Sequence, residues 1–156
     1  RHRTHPALNP PMLTPADSCP LCQETAGALV LQAERYRIVR VVDTELPGFC
    51  RVIWQQHVAE MSDLPPVDRR ALMAVVFAVE LALRDCYQPD KINLASFGNV
   101  VPHLHWHIIC RWRDDPWFPE PIWGQRQRQG NVSSATITDA VLAARIAHYL
   151  ASGVHA

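Results

Sequence analysis

The sequence carries no surplus of charge of either sign: 15 Lys and Arg stand against 15 Asp and Glu. That balance removes the global attraction a nucleic acid or an anionic membrane surface would need, and points to a small ligand. Also missing are an apolar run of membrane-spanning length and the apolar segment of a signal peptide, so a soluble, cytoplasmic chain is expected. The five cysteines, Cys19, Cys22, Cys50, Cys86 and Cys110, are odd in number and scattered over strand-like and helix-like segments. They do not form a secreted disulfide framework, and reduced thiols are expected. No repeat or low-complexity block occurs. A chain of 156 residues is sized for one domain with a real core.

Carboxylates are absent from the whole stretch between Asp90 and Asp114. What that stretch holds instead is His103-Leu104-His105-Trp106-His107, three imidazoles at alternating positions with bulky apolar residues between and after them. In a strand, alternate side chains share a face, so His103, His105 and His107 would form a row about 7 Å apart, with Leu104, Trp106 and Ile108 turned to the core. Pro102 suits the start of such a strand. A solvated strand face would also tolerate histidines, but three in register behind Gly98-Asn99 favour a site.

Imidazole can ligate a metal, move a proton or attack as a nucleophile near neutral pH. A catalytic zinc site also wants a carboxylate, and none lies on this strand. The glycine turn suggests a different use. Gly98 permits close backbone approach, and the amides of Asn99, Val100 and Val101 would cradle an anion such as phosphate. A neutral imidazole can attack phosphorus to give a phosphoramidate that water resolves, with neighbouring histidines supplying protons or charge.

Residues 1–16 hold four prolines and little apolar periodicity, which predicts a flexible tail. Strands are expected at 28–31, 36–42, 49–54, 92–97 and through the histidines to Trp112. A long helix is expected over 65–87, capped by Asp63, with Leu72, Val75, Val76, Val79, Leu83 and Cys86 as its apolar stripe. A second helix, over 139–151, would be capped by Thr138, with Leu142, Ile146, Tyr149 and Leu150 on one face. Residues 113–129, rich in Arg, Asp, Pro and Trp, read as irregular. Trp54, Trp106 and Trp112 suit the core, while Trp117 or Trp123 could stack on a base.

Asn93, Gly98, Asn99, Val101 and the run from His103 to Ile108 resemble the signature of the histidine triad (HIT) family of nucleotide hydrolases and transferases. Arg51-Val52-Ile53-Trp54-Gln55-Gln56-His57 resembles the family's strand ending in a fourth histidine. Cys19-Pro20-Leu21-Cys22 resembles the cysteine pair of many bacterial members. The likeness covers residues 17–112, a core domain, and leaves 113–156 as a C-terminal extension whose helix would pack on that domain. It implies an α+β fold with about five mostly antiparallel strands, one long helix and a C-terminal helix, usually as a homodimer.

By the same resemblance His105 would be the nucleophile on the α-phosphate. His107 and His103 would orient it and contact phosphate or leaving group, with His57 in support. Asn93, Asn99, Val100 and Val101 would bind nucleotide and Gly98 would admit the phosphate. Asn99 stands where the family commonly has Gln, and Val100 where some members have a hydroxyl residue that assists the leaving group. Cleavage at the α-phosphate of a mono- or dinucleoside polyphosphate, or of a nucleoside monophosphate conjugate, is the implied activity, with no cofactor required for catalysis. Rival readings are a nucleotide-binding module without turnover and a zinc-binding interaction protein. Cys19 and Cys22 have the spacing of a zinc half-site that His57 and His103 could complete as a structural site; the alternative is two reduced cysteines packed as small hydrophobes.

Overall fold

A computed structural model describes residues 16–130, 132 and 136–153. Apart from Ala16, which opens a 3-10 turn, the tail expected over residues 1–16 lies outside the described residues. A short helix α1 (Pro20–Gln23) precedes strands β1 (Ala28–Gln32), β2 (Tyr36–Arg40) and β3 (Phe49–Trp54). The long helix α2 (Pro66–Tyr87) follows, then β4 (Lys91–Ala95), β5 (His105–Arg111) and helix α3 (Asp139–Ser152). All pairings are antiparallel, in the order β1-β2-β3-β5-β4, which is the expected α+β architecture.

Alternation along the central strands divides the sheet into two faces. Ile38, Val52, Ile108 and Cys110 point to one side and meet Leu72, Val75, Val76, Val79 and Leu83 of α2, with Leu142 and Ile146 of α3 completing the main core. α2 buries the face its apolar stripe predicts, and Thr138 caps α3 by accepting from the Val141 amide at 3.2 Å. The opposite face is covered only in patches. Cys19 and Leu21 pack there on Val39 and Ile53, while Leu46, Phe49 and Ile109 cluster with Trp117 and Ile122. The histidines lie between these two patches.

β2 ends at Arg40 and β5 at Arg111, short of the expected 42 and 112, and three further differences follow. Asp63 does not cap α2; Pro65 occupies that position, and Asp63 instead accepts from the Glu60 amide at 2.9 Å in a 3-10 turn. β4 ends at Ala95, so Phe97 leaves the sheet and its ring meets His107 and Trp123. β5 starts at His105. His103 precedes it, and the Leu104 amide donates to the Val58 carbonyl, drawing this residue pair toward the loop after β3.

Candidate active site

The three histidines therefore divide into a pair and a single residue. The rings of His105 and His107 lie 4.9 Å apart on the open face, whereas that of His103 stacks against His57 at 5.3 Å. β3 and β5 are in a register that pairs Ile53 with His105 and Arg51 with His107. Residues paired across an antiparallel ladder share a face, so Arg51 emerges beside the two imidazoles.

His105 is oriented by the backbone. Its Nδ1 donates to the His103 carbonyl at 2.5 Å, which leaves the lone pair on Nε2. Burial holds its pKa below the usual imidazole range, opposed by that hydrogen bond and reinforced by the Arg51 charge. Burial, then His105 and Arg51, push His107 down to about 3, so its ring is neutral at pH 7. His107 Nδ1 is buried and has no hydrogen-bond partner.

Both imidazoles open into a cavity of about 780 Å³. Gly98 to Val101 form one wall, and Ala26, Gly27, Val41, Val42 and Asp43 another. Gly98 has φ +74°, a left-handed conformation that disfavours any residue with a Cβ, and it sits at the bend that carries the chain from β4 toward β5. Trp123 closes the cavity from the C-terminal segment, its ring 4.8 Å from Phe97 and 5.1 Å from His107. Asn99, Val100 and Val101 line the cavity. Asn93 does not: on the same sheet face, its Oδ1 accepts from Arg111 Nη1 at 2.7 Å.

His103 turns away from this cavity. Its Nε2 donates to the Trp54 carbonyl at 2.6 Å, so Nδ1 carries a lone pair. That nitrogen lies 3.5 Å from Cys19 Sγ, 3.4 Å from Cys22 Sγ and 3.2 Å from His57 Nδ1; Cys22 Sγ lies 3.3 Å from His57 Nδ1. Zinc–sulfur and zinc–nitrogen bonds of about 2.3 and 2.0–2.1 Å at tetrahedral angles put ligand atoms roughly 3.3–3.5 Å apart for N···N and N···S pairs. The four side chains, whose ligand atoms lie within 4.8 Å of one another, fit such an ion. The Trp54 carbonyl also supplies the outer hydrogen bond that ligating histidines require.

Arg51, Asp43, Glu24 and Trp123 also line the cavity, with Pro20 and Leu21. Sequence reasoning did not single out the first three, and the only available signal was that Arg51 interrupts an otherwise apolar strand.

Comparison with known proteins agrees with this fold. A family model described as the HIT domain matches residues 23–114. The chain is 28% identical over 99 residues to an asymmetrical bis(5′-nucleosyl)-tetraphosphatase of Schizosaccharomyces pombe, covering 60% of this chain and 54% of that protein. It is 24% identical over 118 residues to an AP-4-A phosphorylase of Mycobacterium tuberculosis, covering 72% and 60%. The chain thus spans little more than half the length of these relatives. A crystal structure of a histidine triad protein from Sinorhizobium meliloti superposes with a TM-score of 0.63 at 26% identity, over 80% of this chain and 90% of that one. A five-stranded α+β sheet with paired imidazoles beside a glycine turn is the class of protein these features define. The chain belongs to the histidine triad family.

Proposed function

We propose that the chain cleaves a nucleoside polyphosphate, or a nucleoside monophosphate conjugate, at the α-phosphate through a nucleotidyl-histidine intermediate on His105. The observation that carries this reading is the bond from His105 Nδ1 to the His103 carbonyl. It holds the ring in the tautomer whose Nε2 lone pair can attack, and burial together with Arg51 disfavours the protonated, non-nucleophilic ring. The Nε2–phosphorus bond forms as the bond to the leaving group breaks; water then attacks phosphorus and returns the electron pair to Nε2.

His107 contributes as a neutral donor. A buried unpartnered lone pair is tolerated better than a buried unpartnered N–H, which assigns the proton to Nε2 and offers it to a phosphate oxygen. The amides following Gly98 receive the phosphate. Asp43, exposed at the other wall, is suited to accept from sugar hydroxyls, and the Phe97–Trp123 pair offers an aromatic surface to a base.

In the same reading Cys19, Cys22, His57 and His103 hold a structural zinc ion. Zinc would tie the segment around α1 to the end of β3 and to the residues before β5. His103 then acts on catalysis through its carbonyl, because both of its ring nitrogens are engaged elsewhere. A homodimer through the open edge of β4, where Leu94 is exposed, is part of this proposal.

Product analysis after incubation with adenosine and guanosine polyphosphates tests the activity. Wild type should release nucleoside monophosphate, and His105→Ala should lose about 10³-fold or more of the turnover while keeping its thermal midpoint. Nucleotide binding by wild type with no product from any substrate would instead identify a binding module.

A further inference from the structure

Four of the chain's buried or half-buried arginines have a carboxylate or several carbonyl partners. Arg40 grips Asp139 through two nitrogens; Arg37 and Arg69 each donate to three carbonyls; Arg111 bonds Asp115, Asn93 and the Glu120 carbonyl. Arg51 is different. Its guanidinium makes one long hydrogen bond, 3.4 Å to the Ala26 carbonyl, and lies 5.7 Å from the Phe49 ring centroid. Among the described residues no ion pair joins it to a carboxylate. A guanidinium has five donors in a planar fork, and burying one without a counter-charge is unfavourable. Burial accordingly lowers the Arg51 pKa.

Its position gives that isolation a purpose. Among the described residues Arg51 is the only Lys or Arg lining the cavity, and it stands between His107, its partner across the β3–β5 ladder, and the Ala26–Gly27 wall. The arginines of the C-terminal segment cannot substitute: Arg126 pairs with Glu45, and Arg128 donates to the Asp115 and Phe118 carbonyls.

We propose that Arg51 is a phosphate-binding residue of this site, whose guanidinium grips the anionic chain next to the bond at which His105 acts and selects phosphorylated ligands over the bare nucleoside. The proposal rests on the nucleotide reading for the ligand's identity, but its anion selectivity stands apart from that reading. A planar fork matches two phosphate oxygens, so the site favours a dianionic or more highly charged phosphate.

Calorimetric titration of wild type and Arg51→Met with inorganic tripolyphosphate, AMP and adenosine provides the test. Affinity for tripolyphosphate and AMP should fall about ten- to a hundredfold in the variant, as expected for loss of a charge-assisted hydrogen bond, with adenosine unaffected. Added salt should weaken anion binding to wild type more than to Arg51→Met. The variant's thermal midpoint should equal or exceed that of wild type, because a half-buried unpaired charge has been removed; if it does not fold, Arg51→Gln carries the same comparison. Unchanged anion affinity, or an equal loss for adenosine and AMP, overturns the proposal, as does wild type that binds neither tripolyphosphate nor AMP. Arg51-dependent binding of tripolyphosphate without binding of AMP or adenosine would support the anion site and overturn the nucleotide reading.

Discussion

The orientation of His105 is set by a backbone carbonyl, not by another side chain, and that carbonyl belongs to the histidine two residues earlier. His105 and His107 are legible in the sequence because alternation along a strand is a local property. The different fate of His103 is not, since it follows from the Val58 carbonyl taking the Leu104 amide and from the Trp54 carbonyl taking the imidazole proton. Arg51 and Asp43 are invisible as site residues for the same reason: their place depends on a ladder register and a loop approach between distant segments. A prediction at this scale concerns His107. Its folded pKa of about 3 lies below the roughly 6.5 of an unfolded histidine, so between those values the unfolded chain binds more protons. The stability His107 permits is whole above about pH 6.5 and is lost as pH falls toward 3, by up to about 1.4 kcal/mol per pH unit. Denaturant titrations at pH 7, 6 and 5 should show a shallower pH dependence in His107→Asn than in wild type; identical slopes would refute the assignment.

At the scale of elements, the strands and both long helices are readable from periodicity, with errors of up to three residues at their ends. Residues 113–130 are not readable, because side chain to backbone bonds organise them. Asp115, with no solvent exposure, pairs with Arg111 and accepts from the amides of Trp112, Trp117 and Phe118. This knot holds the base of the segment that carries Trp123 over the cavity. Asp115→Ala strands the Arg111 charge and should destabilise the fold by about 3–5 kcal/mol, lowering Tm by about 10 °C or more. A change of only a degree or two in a thermal scan would show the pair to be dispensable. On the opposite side, the Cys19–Cys22–His57–His103 cluster links α1 to the approach to β5. Metal analysis of the purified protein should give one zinc per chain, and Cys22→Ser should reduce both that content and Tm. Zinc-free wild type with an unaltered Tm would mean that the cysteines act as packing residues alone.

For the molecule as a whole, the sheet has one face sealed by α2 and α3 and another left with a gap between an N-terminal and a C-terminal patch. The candidate site occupies the gap. The balanced net charge is consistent with a ligand recognised inside it, where Arg51 and the amides of the glycine turn stand beside the two imidazoles. No described helix is long and apolar enough to cross a membrane. Sedimentation velocity should report a dimer if the β4 edge pairs as proposed, and a monomer at micromolar concentration would remove that element without touching the chemistry. The chemistry itself is tested most directly by intact-protein mass spectrometry within seconds of mixing with a dinucleoside tetraphosphate. Wild type should gain the mass of one nucleoside monophosphate and His105→Ala should gain none. Released monophosphate without any adduct on wild type, or an adduct that persists in His105→Ala, would contradict covalent catalysis at His105.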